Sequence, residues 1–164
     1  MTTQPDGFLI GSLVSAVAAD LERRVLEGYH AAGFTDIRAA HAHIFRLLPS
    51  EGCRITELAD RAYSSKQAIG YLVEYLEDHG YVERVPDPND GRAQIVRRTE
   101  RGWEVNRTAR RLVQQIQTEW AQQVGEERMA SMVEALRILV HLLGVPYEGS
   151  ISEVSARPRQ ERRP

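Results

Sequence analysis

The chain has 164 residues, 42% hydrophobic and 27% charged, with a formal net charge of -2. That is enough for one domain with a substantial core and too little for two full ones. The charge balance excludes a chain dominated by basic residues, the usual mark of a general nucleic-acid binder, yet it allows a local basic face.

No apolar run approaches the roughly 20 residues of a membrane span. The opening MTTQPDG lacks the basic and apolar regions of a signal peptide. A cytoplasmic protein with no membrane partner is expected. The one cysteine, Cys53, allows no internal disulfide and fits a reducing compartment.

In chain order, residues 1–7 read as a frayed start. From Phe8 to Tyr29 the apolar residues Ile10, Leu13, Val14, Val17, Leu21 and Val25 recur at helical spacing, and Gly33 ends the stretch. Thr35 with Asp36 predicts a helix start before IRAAHAHIFRLL, which Pro49 to Gly52 breaks. Thr56 is the expected cap of the helix ELADRAY. Ser64 or Ser65 caps the next, KQAIGYLVEYLEDH, whose apolar side is Ile69, Leu72, Val73 and Leu76. Gly80 is its stop.

YVERV and AQIVRR then predict a hairpin with PDPNDG as its tip, where Pro86 and Pro88 should exclude a ladder. After Gly102 the spacing is helical again through Val105, Leu112, Val113, Ile116 and Trp120, up to a break at Gly125. A last helix carries Met129, Met132, Val133, Leu136, Leu139, Val140 and Leu143, and Gly144 with Pro146 ends it. The tail from Tyr147 is polar and basic and reads as disordered.

The fold class is therefore mainly α with a small β-hairpin wing. Two short helices followed by a hairpin is the order of a winged helix-turn-helix, a module that inserts one helix into the DNA major groove. The wording of ITELADRAYSSKQAIGYLVEYLEDHGYVERVPDPNDGRAQIVRRTERG also resembles the MarR family of bacterial transcription regulators, over Ile37 to about Gly102. The expected organisation is an N-terminal dimerisation helix (1–34), a DNA-binding lobe (35–101), C-terminal dimerisation helices (102–146) and the tail (147–164). The apolar helices before and after so small a module need a partner to cover them, and a second copy is the simplest one. The resemblance implies the same, a two-fold homodimer of interlocked terminal helices. It further implies a repressor that binds a palindromic operator in double-stranded DNA and releases it when a small-molecule effector binds.

Five residues of the second short helix are placed to read bases. Ser65, Lys66, Gln67, Gly70 and Tyr71 fall opposite Ile69, Leu72 and Val73. Gln67 can pair bidentately with adenine, Lys66 can donate to guanine or phosphate, and Ser65 can bond a phosphate. Tyr71 stands where many MarR-like proteins carry Arg or Lys, and Glu74 and Glu77 add negative charge. That favours a rival reading, a winged-helix interaction module that binds a protein instead of DNA.

At the wing, Asp90 and Arg92 match the family's Asp-x-Arg motif. The resemblance implies that Arg92 enters the minor groove while Asp90 steadies its guanidinium. Gly91 is expected to let the turn tighten, and Arg84, Arg97, Arg98 and Arg101 add positive charge nearby. Arg98 stands where the family usually has Leu; it either snorkels to water or faces a pocket and binds an acid. The polarisable residues Tyr29, Phe34, His41, Phe45 and Trp103, with Arg98, are the candidate lining of an effector pocket.

Nothing in the pattern points to catalysis. His41 and His43 are two apart and point to different sides of a helix, and His30, His79 and His141 have no partner at ligand spacing. No metal site and no cofactor are expected. Cys53, in SEGCRIT, reads as structural. No nucleophile triad, phosphate loop or carboxylate pair stands out, so an enzyme is not expected.

Overall fold

The computed structural model describes residues 9–144. The expected frayed start, the stop at Pro146 and the basic tail lie outside the described residues. The elements run α1 (Ile10–Ala31), α2 (Ala39–Leu47), α3 (Ile55–Arg61), α4 (Lys66–Asp78), β1 (Val82–Asp87), β2 (Asp90–Arg98), α5 (Glu100–Val124) and α6 (Glu126–Leu143). The fold is mainly helical with one antiparallel hairpin, as the spacing of apolar residues predicts.

The core gathers where the short helices meet the hairpin. Ile44, Phe45 and Leu48 come from α2 and its exit, Leu58 from α3, and Ile69, Val73 and Leu76 from α4. Tyr81, Val82 and Val96 close it from the hairpin side and Val105 from α5. The apolar side of α4 thus takes up the amphipathic stripe read from its sequence, which leaves the other side for water. Ser65 is the cap of α4, its Oγ accepting from the Ala68 N–H at 3.1 Å.

Two helix starts differ from expectation. Asp36 does not start α2. Its carboxylate accepts from the Tyr81 hydroxyl at 2.7 Å, and its carbonyl accepts from the Tyr75 hydroxyl at 3.0 Å. Tied to α4 and to Tyr81 just before β1, Asp36 cannot serve as a local cap, and α2 begins three residues later. Thr56 does not cap α3 but lies within it. The helix starts after Arg54, whose N–H donates to the Glu57 carboxylate at 2.9 Å.

The hairpin also runs further than expected. Pro86 pairs with Gln94 and Asp87 with Asp90, with the register shifting between Pro86 and Asp87. In a two-stranded ribbon alternate residues turn their N–H away from the partner, so a proline can be accommodated. The turn is only Pro88–Asn89, closed by the Asn89 N–H donating to the Asp87 carboxylate at 2.8 Å. Gly91 is not its pivot. It has no positive φ, and a Cβ there would meet nothing within 4 Å.

Cys53 forms an isolated antiparallel bridge to Val96, with N–H···O distances of 3.0 and 2.8 Å. It therefore acts as a short third strand rather than a turn residue. Gly52 makes this approach possible: its φ is 84°, and a Cβ would stand 2.5 Å from the Val96 carbonyl oxygen.

Candidate nucleic-acid interface

The first turn of α4 is bare. Ser65, Lys66 and Gln67 are exposed, Tyr71 is 63% exposed, and Gly70 is half-buried with open space where a side chain would stand. All five follow from the burial of Ile69, Val73 and Leu76, since a helix that buries one stripe must present the other. The Gln67 amide donates to the Tyr71 hydroxyl at 3.3 Å, one turn along. The free N–H groups of the first turn and Lys66 give this end positive potential.

The acidic side of α4 is smaller than the sequence suggests. Glu77 accepts from the backbone N–H of Arg84 at 3.2 Å and forms an ion pair with its guanidinium. That joins the C-terminal half of α4 to β1. Glu74 remains exposed.

The wing is held differently from the implied motif. Asp90 does not grip the Arg92 side chain. Its carboxylate accepts from the Arg92 backbone N–H at 3.1 Å and faces Arg54 at 3.4 Å. Asp90 therefore shapes the turn while the Arg92 side chain stays exposed, with no ion pair among the described residues.

The guanidinium that is clamped belongs to Arg54. Its Nε donates to Asp87 at 2.7 Å, and its Nη2 lies 2.6 Å from the same carboxylate. The Asn89 N–H and Arg54 together hold the Asp87 carboxyl below its usual range, and the Asp87 bond holds Arg54 above its own. Sequence reading missed Arg54 because its partner is 33 residues away. The only signal was an arginine at a helix start in a chain whose wing is rich in Asp.

The other wing arginines do not add free charge. Arg84 is bound to Glu77, Arg97 donates to Glu83 at 2.8 Å, and Arg101 donates to the Tyr81 hydroxyl at 3.0 Å and pairs with the Asp36 carboxylate at 3.7 Å. Arg98 does not snorkel to water. It is buried and donates to the carbonyls of Phe45 and Leu48 at 2.6 Å and of Pro49 at 3.0 Å, with its guanidinium 5.0 Å from the Trp103 ring centre. The three carbonyls belong to the end of α2 and the turn after it, where backbone acceptors have no helical partner. Arg98 supplies the missing donors.

The remaining pocket candidates sit together in the core. Tyr29, His41 and Phe45 are buried, and Phe34 and Trp103 are half-buried. Phe34 meets Tyr29 edge-on at 6.5 Å, and Tyr81 meets Phe34 at 6.3 Å and Phe45 at 5.9 Å. Burial raises the Tyr29 phenol to about 12. His41 stacks on Tyr75 at 4.2 Å, and burial, then Arg38, lowers its pKa. Cys53 is buried too, and burial raises its thiol to about 11.

Comparison with known proteins agrees with this geometry. The profile of the MarR family matches residues 33–93. The apo structure of wild-type MarR from E. coli is 23% identical, with TM-score 0.68, covering 82% of this chain and 99% of that one. CouR from Rhodococcus jostii RHA1, bound to p-coumaroyl-CoA, is 22% identical with TM-score 0.64, covering 86% and 95%. A mutant of S. aureus MepR bound to an oligodeoxyribonucleotide is 16% identical with TM-score 0.55, covering 84% and 99%. Among curated proteins, none matches the sequence. No helix among the described residues is long and apolar enough to cross a membrane.

Proposed function

We propose that the chain is a MarR-type homodimeric repressor that binds a palindromic operator and responds to a small effector. The observation that carries this reading is the pairing of a bare, Ser65-capped α4 start with a braced hairpin that leaves Arg92 exposed. Each protomer would set α4 into a major groove, with Gln67 and Lys66 toward base edges, and Arg92 into the adjacent minor groove. Two heads on a two-fold axis would read half-sites about 10 base pairs apart.

The dimer reading rests on apolar faces left exposed among the described residues. Leu9 and Ile10 are 78% and 71% exposed, Leu142 and Leu143 73% and 71%. Leu13, Val14 and Val17 of α1 and Met132, Leu136 and Leu139 of α6 continue these two faces, each at least two-fifths exposed. Contiguous apolar surface of this kind marks an interaction site. A second copy of residues 1–34 and 102–146 would bury it.

The effector reading is supported by the aromatic cluster at the junction of α1, α2 and α5, and by a ligand-bound relative of the same fold. Tyr29, Phe34, His41, Phe45, Arg98 and Trp103 are its proposed surroundings. An effector that binds the non-operator spacing of the heads more tightly would shift the population away from DNA.

The test is selection from a pool of randomised duplexes. The proposal expects enrichment of one palindromic sequence, bound by two chains. A pool that stays random, from a protein shown to be folded, would contradict it and favour the protein-interaction reading.

A further inference from the structure

Tyr63 stands where a helix-turn-helix would most easily carry glycine. The end of α3 is closed by two bonds: the Ser64 N–H donates to the Ala59 carbonyl and the Tyr63 N–H to the Asp60 carbonyl. This is a Schellman closure with Tyr63 as its left-handed residue, at φ 49°. It is the only non-glycine with positive φ among the described residues. A bulky side chain in that conformation is strained, because its Cβ crowds the backbone. The sequence expectation carried α3 through Tyr63; the chain instead reverses there.

Among the described residues, nothing offsets the strain. The side chain is 92% exposed, the barest of the large apolar residues, so its ring supports no core. A strained, solvent-facing aromatic two residues before the cap of α4 contributes nothing to folding that glycine would not contribute better. Strain held without a packing benefit points to a function.

We propose that Tyr63 contacts the DNA sugar–phosphate backbone at the rim of the groove that α4 enters. This rests on the DNA-binding reading above and adds a residue to it. The turn before a groove-entering helix faces the strand that borders the groove, so its outward side chain meets phosphates rather than base edges. A phenol is suited to that position. Its hydroxyl donates to a phosphate oxygen, and its ring covers the adjacent deoxyribose. The left-handed backbone fixes the direction of the side chain before DNA arrives.

The test compares Tyr63→Gly, Tyr63→Phe and wild type on the duplex enriched by wild type and on a random duplex of equal length. Tyr63→Gly should melt at a higher temperature, because the relieved left-handed crowding outweighs the added chain freedom. It should bind the enriched duplex about tenfold more weakly. Base preference should be unchanged, and so should the salt slope, because a neutral donor releases no counterion. Tyr63→Phe should fall between the two. Wild-type affinity in Tyr63→Gly would overturn the proposal, as would a lowered melting temperature or a changed preference at one base pair. A wild-type protein that enriches no duplex would overturn the DNA-binding reading itself, and this proposal with it.

Discussion

Arg54 and Asp87 join the start of α3 to the end of β1. The guanidinium Nε donates to the carboxylate at 2.7 Å, and Asp87 is 8% exposed. Because Asp87 also closes the hairpin turn through the Asn89 N–H, one carboxylate fixes both the turn and its distance from the helix-turn-helix. Arg54→Ala should therefore free the wing without unfolding the lobe. Amide hydrogen exchange should quicken at residues 87–92 and stay slow in α4. DNA affinity should fall although Arg92 is intact. Unchanged exchange at the wing would show that the hairpin needs no brace.

The same pair gives the wing an acid limit. The Asp87 carboxyl is held below its usual range, so its contribution is complete above the ordinary carboxylate pKa. It is lost as pH falls through the depressed value. Wing amide exchange followed below pH 4 should quicken before α4 exchange does. Simultaneous loss of both would place the acid-sensitive contact elsewhere.

Arg98 is predicted to be a structural residue. Arg98→Leu would leave the buried carbonyls of Phe45, Leu48 and Pro49 without their donor, and should cost about 2–4 kcal/mol in denaturant unfolding. Arg98→Lys should recover only part, since one ammonium cannot match the planar fork. A fully stable Arg98→Leu would mean that water satisfies these carbonyls.

Cys53 and the buried tyrosines set an alkaline limit. The thiol is raised from 9.0 to about 11, largely by burial. Burial likewise raises the Tyr29 and Tyr81 phenols from 10.0 to about 12. A raised pKa favours the fold fully below the unfolded value, and the benefit is lost as pH rises toward the folded one. Stability should therefore decline from about pH 9 upward. At pH 8 the thiol should react with a disulfide reagent only as fast as the chain opens. Rapid reaction in the native state would contradict the burial.

The elements legible in the sequence are those set by local rules. The stripe Ile69, Val73 and Leu76 with the Ser65 cap defines α4 from neighbours a few residues apart. What stayed hidden depends on partners far along the chain. Asp36 reads as a helix start until Tyr81 takes its carboxylate, 45 residues on. Arg98 reads as either snorkelling to water or facing a pocket, and its acceptors come instead from the end of α2, about 50 residues earlier. The Asp90–Arg92 motif was found by resemblance, and its geometry was not: the carboxylate holds a backbone N–H, leaving the Arg92 side chain exposed. In the same way, no local pattern says that Tyr63 would occupy a glycine's conformation.

The central claim is that the exposed wing arginine reads DNA, and Arg92→Ala tests it most directly. Arg92 supports no core, so thermal stability should change by no more than about 0.5 kcal/mol. Affinity for the enriched duplex at physiological salt should nonetheless fall clearly, because the contact is lost twice per dimer, and most where the flanks are A·T-rich and narrow. An Arg92→Ala protein that binds that duplex as tightly as wild type would contradict the winged DNA-reading mechanism.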